Sequence, residues 1–155
     1  MPGGDVCNEL IGRDGHVCLV RQGHQASARR LTMKRYAQLD HMTFDMPENY
    51  GQTTIDRIVH AQGHERRSAL SFHSYFQVPA ILNASDYVCT LPTRLAEHFA
   101  ALHSLEMLTL PFDIDMPLYL TWSNAQNRDP GHRWLRDQII RAGKNLLGGN
   151  ARSHA

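Results

Sequence analysis

Short apolar runs alternate with helical patterns along the chain, most clearly in its middle third. Residues 69–72 and 87–91 are apolar runs with the length of buried strands. Between them apolar residues repeat at helical spacing from Val78 to Leu82, and Pro79 suits a first helical turn. The stretch predicts a strand, a helix and a second strand, with a further helix after it. This order is typical of α/β proteins.

The same patterns predict elements on both sides of this unit. Further strands are expected at 17–20, 41–45, 105–112 and 116–122, and helices at 31–39, 53–62, 93–104 and 130–147. Thr53 and Asp56 have the spacing of a capping box, and Gly63 stands where a helix commonly ends. Residues 1–15 are Gly-rich and polar without periodicity, which predicts an irregular lead-in, and 147–155 form a polar tail.

Composition and charge are those of an ordinary globular protein. The 155 residues are 42% hydrophobic and 20% charged, enough for one domain with a real core. A formal net charge of +1 gives no electrostatic argument for nucleic acid, an anionic membrane or an acidic partner. The pairs Arg29–Arg30 and Arg66–Arg67 are expected to be solvated. The chain lacks a signal-peptide pattern and an apolar run of ~18 residues, so we expect a cytoplasmic protein.

Catalytic and metal-binding patterns are weak. The three cysteines are odd in number and widely spaced, which argues against a disulfide framework or a zinc knuckle. His60 and His64 have the spacing of a helical zinc pair, but Gly63 interrupts the helix between them. No nucleophile and base pair, phosphate-binding loop or dinucleotide-binding turn is recognisable. The sequence therefore predicts no enzyme, no metal and no cofactor.

Polar and aromatic residues follow the carboxyl ends of the predicted strands, where open α/β sheets bind ligands. Ser74 and Tyr75 follow one strand of the central unit and Pro92 follows the next. The helix start at Thr53 would direct backbone N–H groups outward, although helix capping alone explains that residue equally well. The predicted set is Met46, Thr53, Thr54, His73, Ser74, Tyr75 and Pro92. Apolar and aromatic walls with a few polar groups are typical of small-molecule pockets.

Four stretches give the chain a specific resemblance to a known family. They read VCLVRQGH at 17–24, VPAI with SD between 78 and 86, TLPTRLA at 90–96 and DPGHRWLR at 129–136. In this order, from Asp14 to Arg141, they resemble the effector-binding domain of LysR-type transcriptional regulators. The similarity is greatest to the nodulation and aromatic-catabolism activators.

The resemblance implies an α/β, periplasmic-binding-protein-like fold of type 2, with two lobes joined by crossing strands and a small effector held between them. Residues 16–146 would form a partial domain, with 17–20 and 87–91 as the crossing strands. The second lobe, about 23–83, would be complete, and about 92–146 would be the returning part of the first lobe. The ligand-binding residues implied are His24, Met46, Thr53, Thr54, Ser74, Tyr75 and Pro92.

The helix-turn-helix, the linker helix and half of the first lobe of such a regulator are not found in this sequence. We therefore expect a ligand-sensing portion that binds a small aromatic or carboxylate effector, forms a homo-oligomer and reaches DNA only through a domain outside this chain. The alternative is an interaction fragment that oligomerises through open sheet edges without sensing a ligand. An α/β enzyme is a third possibility that no residue pattern favours.

Overall fold

The computed structural model describes residues 5–44 and 53–147, so the predicted site residue Met46 lies outside the described residues. The strands are β1 (Val6–Asp14), β2 (His16–Arg21), β3 (Asp40–Phe44), β4 (Arg67–Phe72), β5 (Val88–Pro92), β6 (Leu105–Leu108) and β7 (Met116–Ser123). The helices are α1 (Met33–Ala37), α2 (Thr54–Ala61), α3 (Val78–Asn83), α4 (Thr93–Leu102) and α5 (Pro130–Leu147). Two compact units result: unit 1 contains β1, β7 and α5, and unit 2 runs from Gly15 to Ile114.

Unit 2 contains a five-stranded sheet in the order β4-β3-β5-β2-β6. Strand β3 runs parallel to both β4 and β5, whereas β2 runs antiparallel to β5 and β6. The carboxyl ends of β3, β4 and β5 therefore lie at one edge of the sheet, which we call the strand-end edge. The amino end of β2 is at the same edge, because His16 pairs with Pro92.

Successive residues of a strand point to opposite faces of the sheet. Strand β2 is apolar on both faces, and helices cover each face. Cys18 and Val20 pack into one core with Tyr36 of α1 and Val59 of α2. On the other face Leu19 belongs to a second core, in which the helical residues are Val78, Leu82, Ala96 and Phe99. Each large apolar side chain buried in this way stabilises the fold by about 1.5–3 kcal/mol.

Side chains cap the starts of α1 and α2, and the capping signals predicted for α2 are confirmed. Thr32 caps α1 by accepting the backbone N–H of Arg35 at 3.3 Å. Thr53 and Asp56 form the reciprocal capping box of α2. Gly63, with φ of +75°, follows the end of that helix in a conformation that a side chain would strain.

Unit 1 is an antiparallel ribbon of β1 and β7 with α5 packed on one face. The pairing runs from Val6 opposite Ser123 to Asp14 opposite Met116. The helix approaches closely at Gly143, where an added Cβ would lie 2.9 Å from the Cβ of Ile11. Within the described residues, no helix combines the length and the apolar character needed to cross a membrane.

The prediction of an irregular lead-in is wrong for residues 6–14, which form β1. The segment gave no strand signal because polar and apolar residues occur on both of its faces: Val6 and Leu10 are exposed, while Glu9 is half-buried. Its partner strand β7 lies near the other end of the chain, so no local pattern reports the pairing.

The expected crossing strands 17–20 and 87–91 are both interior strands of the unit 2 sheet. The chain passes between the two units at Asp14–Gly15 and at Ile114–Asp115. The segment 92–114, expected in the first lobe, belongs to unit 2. A match of the two units to the two lobes implied by the resemblance stays a prediction.

Candidate ligand-binding site

Three aromatic rings meet at the strand-end edge of unit 2. Phe44 ends β3, Phe72 ends β4, and Tyr75 lies in the 3₁₀ turn that follows. The rings of Phe44 and Tyr75 are parallel within 3°, with centroids 4.6 Å apart. Phe72 meets both rings edge-on at 5.5 Å. We call Phe44, Phe72 and Tyr75 the aromatic cluster.

The aromatic cluster is well suited to an apolar or aromatic ligand group. Phe72 is buried, whereas Phe44 and Tyr75 remain partly accessible at the edge. Burial, with a smaller effect of the Cys89 thiol, raises the pKa of Tyr75 above its usual value. The phenol therefore stays neutral at physiological pH and keeps a hydroxyl that can donate or accept a hydrogen bond. Aromatic rings together with a hydroxyl group commonly line ligand pockets.

Ser74 and Pro92 of the predicted site lie at this same edge. Ser74 is half-buried directly after β4, and its carbonyl accepts the N–H of Gln77 at 3.2 Å. Its hydroxyl does not cap the turn. Pro92 ends β5 and precedes α4, and His73 is exposed beside Ser74. The structure thus brings Ser74, Tyr75 and Pro92 to one edge of the sheet.

His24 does not join them, which corrects its assignment. It follows the carboxyl end of β2, and because β2 runs antiparallel to β5, His24 lies at the edge opposite Pro92. Its ring is buried, with Nδ1 accepting the N–H of Ala26 at 3.0 Å. Nε2 lies 3.0 Å from the carbonyl oxygen of Asp86. Both ring nitrogens are thus used inside the protein, and the side chain holds a turn in place.

Thr53 is also committed to internal bonds. Its hydroxyl accepts the N–H of Asp56 at 3.2 Å and donates to Asp56 Oδ2 at 2.6 Å. It further accepts from Arg66 Nη2 at 3.1 Å. Through the Arg66 side chain, Thr53 is tied to the segment that leads into β4. The neighbouring Thr54 is exposed, and its hydroxyl accepts from Arg57 at 3.3 Å.

Arg66 was expected to be solvated, and this is wrong. Its side chain is 4% exposed, and Nε lies 2.5 Å from Asp56 Oδ1. Burial alone would raise the pKa of Asp56, but hydrogen bonds from Arg66 and Thr53 lower it overall. The capping box was predictable from the spacing of Thr53 and Asp56. No nearby sequence pattern indicated that Arg66, ten residues after Asp56, would pair with that carboxylate.

His41 adds a second buried polar group near this ion pair. The ring is fully buried, with Nε2 2.8 Å from the carbonyl oxygen of Tyr36. Nδ1 has no hydrogen-bond partner among the described residues. Burial lowers the pKa of His41 to about 4, so the ring is neutral at physiological pH. Within the described ranges, no three His, Cys, Asp or Glu side chains are grouped as a metal site would require.

The chain matches the family described as the LysR substrate binding domain over residues 2–144. It is 27% identical to the HTH-type transcriptional activator NagR of a Ralstonia species, over 83% of this chain and 42% of that protein. It is 30% identical to the HTH-type transcriptional regulator SyrM of Rhizobium meliloti strain 1021, over 83% of this chain and 40% of SyrM. The chain thus spans about two fifths of these relatives.

Solved structures show the same fold. The regulatory domain of MexT, a transcriptional activator in Pseudomonas aeruginosa, superposes with a TM-score of 0.77 at 22% identity, covering 90% of this chain and 66% of that domain. The effector-binding domain of QuiR in complex with shikimate gives 0.70 at 14% identity, covering 91% of this chain and 66% of that domain. The α/β, periplasmic-binding-protein-like fold is confirmed, and the chain belongs to the LysR substrate-binding domain family.

Proposed function

We propose that the chain is the ligand-sensing portion of a LysR-type transcriptional regulator and binds a small aromatic or carboxylate effector at the strand-end edge of unit 2. The observation that carries this proposal is the half-exposed aromatic cluster, which stands where three parallel strands end. Ser74, Tyr75 and Pro92 are the residues proposed to line the site. Thr54 supplies a further exposed hydroxyl, and Thr53 acts by holding the start of α2.

The chemistry of the cluster supports this ligand class. The partly accessible rings of Phe44 and Tyr75 offer apolar surface to a ring or an alicycle. Removing such surface from water contributes about 25 cal/mol per Å², from which the entropic cost of association is subtracted. The Tyr75 and Ser74 hydroxyls are within the same turn and can bond an oxygen of the ligand. The similar QuiR domain was solved with shikimate, a small molecule that carries both a ring and a carboxylate.

Binding would act on transcription by changing the population of two conformations of the regulator. A ligand shifts such an equilibrium only by the difference between its affinities for the two states. We propose that DNA is contacted through another domain of the regulator, that the regulator works in the cytoplasm as a homo-oligomer, and that this region does no catalysis.

A thermal-shift screen against benzoate, shikimate, flavonoid-like phenols and aliphatic carboxylates tests the proposal. A ligand that binds only the folded state must raise the melting temperature in a saturable way. Tyr75→Ala should abolish the response, while Tyr119→Ala, at an exposed tyrosine of unit 1, should leave it intact. Equal responses in both variants would exclude the aromatic cluster as the site.

A second function, self-association without ligand sensing, is favoured by the surface of unit 1. Large apolar side chains are exposed on the ribbon and on α5, namely Val6, Leu10, Tyr119, Trp134, Leu135, Ile139 and Leu146. Leu135, Ile139 and Leu146 recur at helical spacing and form one stripe. Light scattering over a range of protein concentrations measures the molar mass, and together with the thermal-shift screen it distinguishes self-association from ligand sensing. A stable oligomer with no ligand in the panel raising its melting temperature would favour this second function.

A further inference from the structure

The motif at residues 129–136 has no part in the proposed ligand site, yet its side chains form a closed polar cluster in unit 1. Strand β7 reaches its last residues at Trp122 and Ser123, a 3₁₀ turn spans Asn124–Gln126, and α5 begins at Pro130. Asp129 Oδ1 accepts the backbone N–H of His132 at 2.6 Å and so caps the first turn of α5. We call residues 122–136 the β7–α5 corner.

Arg136 lies at the centre of this corner as a buried cation. The residue is 6% exposed, and it donates to the carbonyl oxygens of Gln126 and Asn127, each at 3.2 Å. Its Cζ lies 4.8 Å from the centroid of the Trp122 ring. The Trp122 indole N–H in turn donates to Asn127 Oδ1 at 3.2 Å. Among the described residues no carboxylate pairs with this guanidinium, so carbonyl dipoles and the ring face stabilise its charge.

The remaining contact of Arg136 fixes the protonation state of a histidine. Nη1 of Arg136 lies 2.8 Å from His132 Nδ1. A guanidinium only donates hydrogen bonds, so Nδ1 must hold a lone pair, and His132 is neutral with its proton on Nε2. A proton added to Nδ1 would place two donors and two positive charges against each other at this distance.

We propose that His132 and Arg136 form a pH-sensitive latch on the β7–α5 corner. Neutral His132 holds the Arg136 guanidinium on Trp122 and on the carbonyls of the preceding turn. Protonation of His132 on acidification releases that guanidinium and loosens the turn.

The surrounding charges do not cancel this effect. The carboxylate of Asp129 contacts the backbone N–H of His132. Arg128 and Arg133 are exposed and of the same sign as Arg136. From β1, Glu9 is paired with Lys144, about three turns further along α5. Acidification therefore leaves two adjacent cations in the corner.

The first test uses the wild-type chain. Nitrogen-15 NMR of the imidazole groups at pH 8 distinguishes a lone pair on Nδ1 from a lone pair on Nε2. The latch requires the tautomer of His132 that carries its proton on Nε2. Observation of the other tautomer, or of a doubly protonated ring at pH 8, would overturn the proposal without any mutation.

The second test follows the indole N–H of Trp122. A Trp134→Phe background leaves Trp122 as the remaining tryptophan, and the replaced side chain is exposed. The indole signal should move in a single transition as the pH is lowered from 8. Adding His132→Gln should abolish this movement, because an amide oxygen accepts the same bond at every pH. His60→Gln, at an exposed histidine of unit 2, should preserve it. Movement that survives His132→Gln, or no movement in the parent, contradicts the latch.

Discussion

Two adjacent arginines in unit 2 form ion pairs in opposite environments, one buried and one exposed. Comparing them tests how much burial changes the contribution of an ion pair to stability. Arg66 is paired with Asp56 inside the protein, with a side chain 4% exposed. Arg67 pairs with Asp40 at 3.0 Å, but its side chain is 74% exposed. The same type of ion pair is therefore expected to contribute very differently at the two positions.

We predict that Arg66→Met lowers the free energy of unfolding by about 3 kcal/mol, because it leaves the Asp56 charge uncompensated in a partly buried site. Arg67→Met should cost less than about 1 kcal/mol, as is usual for exposed pairs. Urea unfolding followed by far-UV circular dichroism measures both. Equal losses in the two variants would show that the buried pair has no special role.

His41 predicts a loss of stability in acid. Its folded pKa of about 4 is below the value of about 6.5 for an unfolded histidine, so the folded state binds fewer protons between these values. The contribution of the neutral ring to the free energy of unfolding is therefore fully present above a pH of about 6.5. The contribution falls as the pH drops toward 4, by up to about 3 kcal/mol. The charged groups acting on it are Arg66, Asp56 and Asp40.

His41→Gln tests this, because an amide can still donate to the Tyr36 carbonyl but does not titrate. Urea unfolding at pH values from 4 to 7 should show a flatter pH dependence for this variant than for the wild type. His60→Gln, at an exposed position, should leave the wild-type slope unchanged. A His41→Gln protein with the wild-type slope would rule out His41 as the cause.

These residues mark the limit of sequence-based prediction. The Thr53–Asp56 capping box was predictable because its members are three residues apart. The burial of Arg66, and the position of His24 at the opposite edge, depend on strand order, which no local spacing encodes.

At the scale of elements, the contact between α5 and β1 depends on a glycine. Helix propensity alone predicts that Gly143→Ala stabilises α5 by about 1 kcal/mol. The new Cβ would instead lie 2.9 Å from the Cβ of Ile11, so we predict a net loss of about 1–3 kcal/mol.

Tryptophan fluorescence during urea unfolding measures this change, since both tryptophans of the chain belong to unit 1. Gly131→Ala is the matched control, because its Cβ would meet one side-chain atom, Asp129 Oδ1, at the longer distance of 3.3 Å. A Gly143→Ala protein more stable than the wild type would contradict the close packing of α5 on β1.

Most elements were predicted close to their observed bounds, whereas strand β1 was missed. Strands β4 and β5 each contain a short, mainly apolar run, and α2 has capping signals at both ends, so each was recognisable in isolation. Strand β1 has neither signal, and it forms only because β7 pairs with it. The predicted strand at 105–112 is shorter in the structure, ending at Leu108.

At the scale of the whole molecule, the two units differ in the cores that support them. Unit 2 has a core on each face of a five-stranded sheet, whereas unit 1 has one ribbon and one helix with several exposed apolar side chains. Two-stranded ribbons have little stability of their own. We therefore predict that tryptophan fluorescence, which reports unit 1, reaches its unfolding midpoint at lower urea than far-UV circular dichroism. Coincident midpoints would indicate a single cooperative unit.

The central claim is that an effector binds at the strand-end edge of unit 2. Its most direct test is NMR chemical-shift mapping of the whole chain during a titration with benzoate and then with shikimate. We predict saturable shifts of the ring signals of Phe44, Phe72 and Tyr75 and of the backbone amides near Ser74 and Thr93. A spectrum that stays unchanged with both ligands, or saturable shifts confined to β1, β7 and α5, would contradict the proposed site.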